Sequence, residues 1–340
     1  MRYPELLKKG ATIGLVAPSF GVSGTPYEER FEYTLKLFQD MGYNVVTAKH
    51  LRGIRHAKST SGKIRAREFM QMYLDENVDF IISVAGGELM LEMLPYVNFK
   101  KLKKARPKFF MGLSDNTCLT FTLNTLCDVA SIYGPCFGGF GMEPWDPSLK
   151  DAMDIITGKK NTLESYPKYD VYDEEVKLNA QPLDGYNLQR DVVYKTLDGR
   201  NTKFSGRLVG GCLDLLTNIC GTQFDQVKKY VEKYKDDGII WYLESCDLTV
   251  LDQYRGLWQL KNAGWFENCR GIMYGRPQRP EPIFDVTVTE LLKNNFKELG
   301  IPVIYDMDFG HVAPIWTILS GSLATVECTD GKGRITFEQK

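Results

Sequence analysis

One pattern recurs along the chain: a short apolar run, a turn built from glycine or serine, and a segment whose apolar residues fall at helical spacing. Ala11–Ala17 is such a run. It is followed by 27–41, where Phe31, Leu35 and Phe38 share one helical face. Asn44–Thr47 reads as the next strand, 61–75 as a helix, and Val78–Ala85 as an all-apolar strand ending in Gly86-Gly87, with a helix expected from Glu88. Lys108–Gly112 and the helix from Thr117 repeat the pattern. So do Phe204–Val209 with the helix from Leu213, and Gly238–Leu243 with the helix Thr249–Ala263. Strands alternating with helices at this spacing predict an α/β fold, a parallel sheet flanked by helices on both faces.

A chain of 340 residues is long enough for two domains with separate cores. The stretch from Trp145 to Asn201 is polar and rich in turn signals. It reads as irregular, and a boundary near residue 165 is expected within it, giving an N-terminal domain 1–165 and a C-terminal domain 166–340. Basic residues number 42 and acidic ones 43, so no charge excess points to nucleic acid or an anionic membrane as partner. Met1–Gly10 lacks the apolar core of a signal peptide, and no apolar run approaches the length of a membrane span. A cytoplasmic location is expected. The eight cysteines form no Cys-x-x-Cys pair, which suits free thiols in a reducing compartment. His50, His56 and His311 form no cluster with metal-ligand spacing, so no metal is expected.

The stretch Lys108–Thr117 carries the strongest chemical signal. Gly112 permits a tight bend, Ser114 falls at its apex, and Asp115 is placed to cap the following helix. A serine on such a turn exposes its hydroxyl where the first free amides of a helix converge, the logic of a nucleophile elbow. The alternative is a Ser-Asp pair that merely caps a helix. Gly86-Gly87 could present backbone amides to a ligand or simply punctuate a turn.

Glu244 and His311 also stand at the ends of expected strands, the edge at which open α/β sheets bind ligands. A serine nucleophile needs a base, for which His311 is best placed. The imidazole in turn needs a carboxylate, for which Glu244 is the natural candidate. His50 and His56 lie in or beside a basic loop and read as solvated. Cys212 and Cys246 are rival nucleophiles, but neither sits in so complete a strand–turn–helix setting.

An ordered set of motifs then makes the chain resemble a known family over nearly its whole length. They are Gly14-Leu15-Val16-Ala17-Pro18-Ser19, Gly86-Gly87-Glu88, Met111-Gly112-Leu113-Ser114-Asp115-Asn116-Thr117, Tyr133-Gly134-Pro135, Gly210-Gly211-Cys212-Leu213, Leu243-Glu244, Gly275-Arg276-Pro277 and Phe309-Gly310-His311. The family is the LD-carboxypeptidases, serine peptidases whose branches include the microcin C immunity protein. The resemblance implies an α/β N-terminal domain plus a smaller α/β C-terminal domain, homodimers in many members, and no metal or other cofactor. It implies a triad at Ser114, Glu244 and His311, with an oxyanion hole from the amides of Gly87 and Asp115. Gly86, Cys212 and Tyr194 are the candidate substrate contacts. Where many members have tyrosine before the serine and asparagine after the second Gly-Gly, this chain has Leu113 and Cys212. It also lacks the loop tryptophan that the immunity branch stacks on a nucleobase, offering Tyr186 and Tyr194 instead. The expected activity is hydrolysis of an L,D-amide bond next to a free carboxylate in muropeptides, as in peptidoglycan recycling. The alternatives are a peptidyl or aminoacyl nucleotide substrate, as in self-immunity, and a non-catalytic protein that binds small ligands.

Overall fold

The computed structural model describes residues 1–338, within which the chain divides into two units. The first comprises Met1–Lys160 and Tyr172–Asn187; the second comprises Asn161–Val171 and Leu188 onward. The chain thus passes between the units within the polar stretch, at 160/161, 171/172 and 187/188, where the sequence suggests one boundary near residue 165. Among the described residues no helix is long and apolar enough to cross a membrane.

The first unit contains β1 (Thr12–Val16), α1 (Tyr27–Asp40), β2 (Asn44–Thr47), α2 (Gly62–Leu74), β3 (Phe80–Ser83), α3 (Phe99–Lys104), β4 (Phe109–Gly112), α4 (Thr117–Cys127), β5 (Ser131–Tyr133), α5 (Pro147–Thr157) and α6 (Glu174–Asn179). Its strands pair in parallel in the order β5-β4-β3-β1-β2. Ile13, Leu15, Phe80, Ile81, Ile82, Phe110 and Met111 are essentially fully buried. That is why β3 and β4 are apolar at nearly every position, the buried Ser83 at the end of β3 excepted: a parallel strand covered on both faces has no solvent side to mark with polar residues.

Two expectations change here. The segment after Gly86-Gly87 is a 3-10 turn, Met90–Tyr96, with Pro95 inside it, because proline supplies no N–H to continue an α-helix. The stretch read as irregular opens with a regular helix, α5. Asp146 accepts the N–H of Ser148 at 2.8 Å, Pro147 occupies the first turn, and Leu149, Ala152, Ile155 and Ile156 are buried. Residues 172–187 join the first unit through Arg30. Its guanidinium donates to the carbonyls of Pro182 at 2.7 Å and Asp184 at 2.9 Å.

The second unit contains β6 (Thr162–Glu164), β7 (Lys168–Asp170), β8 (Leu188–Asp191), β9 (Lys195–Thr196), β10 (Thr202–Cys212), α7 (Leu213–Ile219), α8 (Val227–Lys233), β11 (Ile239–Glu244), α9 (Val250–Asn262), β12 (Cys269–Gly275), α10 (Val288–Phe296), β13 (Val303–Met307), β14 (Ile318–Ser320), β15 (Leu323–Thr329) and β16 (Lys332–Glu338). Its main sheet has eight strands in the order β6-β16-β15-β10-β11-β12-β13-β9. The central β10-β11-β12-β13 are parallel, and antiparallel strands flank them on both sides. Parallel β10 and β11 are in register, so that Cys212 lies beside Glu244 where both strands end.

Candidate active site

Ser114 stands between β4 and α4 with φ +66, left-handed backbone that a non-glycine residue rarely adopts. The turn is built to hold it. A Cβ on Gly112 would lie 2.6 Å from Asn116 Cγ, so glycine leaves room for that side chain to fold under the turn. There the Asn116 amide donates to the carbonyls of Leu113 at 2.8 Å and Ala85 at 3.0 Å. The Ser114 N–H donates to the hydroxyl of Tyr133 at 3.2 Å.

Gly86-Gly87 borders the same turn. A Cβ on Gly86 would stand 3.1 Å from Ser114 Cβ. Gly87 has φ +142, and a Cβ there would lie 2.3 Å from Ser19 Oγ. A side chain at either glycine would crowd the serine or its supports. Asp115 does not cap α4 as expected. Its wholly buried carboxylate accepts the Ser19 hydroxyl and, at 2.8 Å, the N–H of Met90. Asp115 therefore ties three loops together. Burial raises its pKa, with the Ser19 and Met90 donors opposing that rise. Beside it the buried Arg65 donates to the carbonyls of Pro18 at 2.8 Å and Leu89 at 3.0 Å and to Glu92 at 2.8 Å. Sequence reasoning gave Arg65 no role, since a charge in an amphipathic helix ordinarily faces solvent.

In the second unit Glu244 ends β11 fully buried, and its Oε2 lies 2.8 Å from Nδ1 of His311. Two glycines make room for the carboxylate. A Cβ on Gly310, at φ +106, would lie 2.6 Å from Glu244 Oε2, and one on Gly275 would lie 2.8 Å from Glu244 Cβ. Burial lowers the proton affinity of His311, but the Glu244 carboxylate and the Cys246 thiol reverse this and hold its pKa well above 6.5. Nε2 of His311 is buried without a hydrogen-bond partner. A carboxylate on Nδ1 with Nε2 left free is the arrangement of a general base.

Asp214, also missed in the sequence, fastens the loop after Glu244. Its carboxylate accepts from the Ser245 hydroxyl at 3.0 Å and from the N–H groups of Cys246 at 3.2 Å and Asp247 at 2.8 Å. The Cys212 thiol lies 3.4 Å from the same carboxylate. Burial, then Glu244 and Asp214, hold that thiol well above its ordinary pKa. Burial also raises Cys246, with His311 opposing. Both thiols thus lack the lowered pKa of a catalytic cysteine.

Tyr194 departs from its expected place. It is only 2% exposed, its hydroxyl donates to Asp308 at 2.9 Å and accepts the Asp308 N–H at 3.0 Å, and its ring meets Trp316 edge-on. No face of the ring is free to stack on a nucleobase. Tyr186, the other aromatic candidate, is half-buried. His56 is exposed as expected, but His50 is paired with Glu68 at 2.5 Å.

Sequence models of the LD-carboxypeptidase N-terminal and C-terminal domains match residues 13–134 and 205–326. The chain belongs to the LD-carboxypeptidase family. YocD of Bacillus subtilis, which bears a provisional carboxypeptidase name, is 25% identical over 338 residues, 99% of each chain. The microcin C7 self-immunity protein MccF of Escherichia coli is 25% identical over 93% of this chain and 90% of its own. An MccF-like protein from Bacillus anthracis shares the fold with a TM-score of 0.83 at 24% identity, over 100% of both chains. LD-carboxypeptidase membership supports a peptidase or MccF-like hydrolase role, as the sequence motifs led one to expect.

Proposed function

We propose that this protein is a serine hydrolase that cleaves an L,D-amide bond next to a free carboxylate in muropeptides. Ser114 Oγ attacks the carbonyl carbon while Nε2 of His311 takes its proton, and Glu244 holds the imidazole in the right tautomer and stabilises its charged form. The amides of Gly87 and Asp115 receive the oxyanion. The imidazolium then protonates the leaving amine, and water, deprotonated by the same imidazole, hydrolyses the ester to release the acid and restore Ser114.

The observation that carries this reading is the left-handed backbone of Ser114 between a buried strand and a helix. Such strain is retained where it aims a side chain, and a helix-capping serine has no need of it. Burial of Tyr194 favours muropeptides over nucleotide conjugates, because it removes the better-placed stacking surface. A neighbour of the same fold, solved in complex with glutamyl sulfamoyl guanosine, makes nucleotide conjugates the comparison worth running. Mass spectrometry of products from parallel incubations with muropeptides and an aminoacyl-nucleotide analogue tests both choices. Loss of the C-terminal residue from the muropeptide, abolished by Ser114→Ala, is expected. Turnover of the nucleotide analogue alone would move the substrate to the immunity class. Turnover retained in Ser114→Ala would overturn the serine mechanism.

A further inference from the structure

Three side chains with different ligand chemistry meet at the carboxyl ends of the parallel strands in the second unit. Cys212 closes β10, Glu244 closes β11 as its register partner, and His311 follows β13. One donor atom from each, a sulfur, a carboxylate oxygen and an imidazole nitrogen, lies within 4.8 Å of the other two. A tetrahedral zinc ion with bonds of about 2.0–2.3 Å holds its ligand atoms roughly 3.3–3.8 Å apart. Small side-chain adjustments would bring these three donors to that spacing.

The surroundings suit a divalent cation. The carboxylate of Asp214 lies 3.4 Å from Cys212 Sγ, adding a second acidic group outside the three donors. Asp214 is itself held by the Ser245 hydroxyl and two backbone N–H groups, so it stands as a fixed partner behind the sulfur. The buried, unpartnered Nε2 gives His311 a free nitrogen in addition to the one facing Glu244. A set of thiolate, imidazole and carboxylate favours zinc or a metal of similar softness over magnesium or calcium, which prefer oxygen ligands alone.

We propose that Cys212, Glu244 and His311 form a zinc-class site, and that filling it switches the hydrolase off. Binding releases the Cys212 thiol proton to solvent together with the second proton of a charged His311, so that the imidazole ligates in its neutral form. A ligated His311 can no longer shuttle a proton. The inhibitory half of this proposal rests on the role of His311 proposed above; the binding half does not.

Cobalt(II) titration of the full-length protein separates the two. One equivalent of cobalt is expected to give a thiolate-to-cobalt charge-transfer band that zinc abolishes on displacing it. Cys212→Ser should remove the band and weaken zinc binding by on the order of a hundredfold, while Cys246→Ser should retain the band. If Cys212→Ser does not fold, His311→Ala should weaken zinc binding comparably. No band in the wild type, or a band lost with Cys246 and not with Cys212, overturns the site. Zinc should also inhibit wild-type turnover at the concentration that saturates the site. Saturation without inhibition would leave the site standing and refute both the switch and the assignment of His311 as base. Absence of turnover with every substrate would refute the hydrolase reading and leave the spectroscopic result intact.

Discussion

The hydroxyl of Ser19, at the end of the first strand's turn, donates to the buried carboxylate of Asp115, 96 residues further along the chain. Asp115, whose amide is one of the two proposed oxyanion donors, is thereby anchored by its own side chain to a distant loop. Ser19→Ala should leave Asp115 with the Met90 N–H as its remaining donor and cost about 1–3 kcal/mol of stability. Turnover should fall by about tenfold with little change in KM, since a loosened amide weakens transition-state binding selectively. Denaturant midpoints and steady-state kinetics check both; unchanged turnover in a folded, destabilised variant would confine Ser19 to a structural role.

Removing the proposed nucleophile is the severest test of the mechanism. Ser114→Ala should retain the fold and lower turnover by on the order of a millionfold. The double variant Ser114→Ala/His311→Ala should be about as slow as the worse single one, because a unit already broken cannot be broken again. Additive losses in single-turnover assays would show that the two residues do not share a step.

The pH dependence follows from the raised pKa of His311. As a general base the imidazole must be neutral, so kcat/KM should rise with pH through a midpoint above 6.5. Glu244→Gln should move that midpoint downward and lower kcat by about ten thousandfold, the loss seen when a triad carboxylate becomes an amide. The stability effect has the opposite sense. A group whose folded-state pKa is raised stabilises fully below its unfolded value of 6.5 and loses that contribution as pH rises through the folded value. The stability difference between wild type and His311→Ala should therefore shrink from neutral towards alkaline pH in chemical denaturation.

Tyr194 gives a prediction of a different kind. Its hydroxyl both donates to and accepts from Asp308, a carboxyl also bonded to Arg276 at 2.7 Å and to the N–H of Tyr166 at 2.8 Å. Tyr194→Phe should cost about 1–3 kcal/mol of stability. It should not change the preference between muropeptide and nucleotide substrates. A selective loss on the nucleotide analogue, with stability intact, would show that the ring reaches a ligand.

The alternation of apolar strands with amphipathic helices made the parallel core legible, because buried strands leave a contiguous apolar signal. The turn at Ser114 was legible for a related reason: glycine, serine and aspartate together are scarcely usable for anything but a bend. What the sequence hid is polar and buried. Arg65 and Asp214 sit in helices whose spacing suggests solvent, and only the carbonyls, amides and hydroxyls that gather around them show otherwise. Tyr194 misled in the opposite direction. It lies in a polar stretch, yet the donor and acceptor at Asp308 and the edge of Trp316 enclose it. Helix α5 was obscured by the proline and charges around it, although Asp146-Pro147 is itself a start signal.

The exchange of segments 161–171 and 172–187 between the units sets a rule for anyone dividing this protein into pieces. A cut at any single peptide bond between 160 and 188 strands part of one unit on the other fragment. A break after Asn187 leaves β6 without β16, its ladder partner through Thr162–Glu164, and a break after Lys160 deprives Arg30 of the carbonyls of Pro182 and Asp184. Split reporters, separately expressed halves and domain transplants therefore need fragments that respect the interleaving, whereas circular permutation, which keeps the chain covalently whole, is free of that constraint.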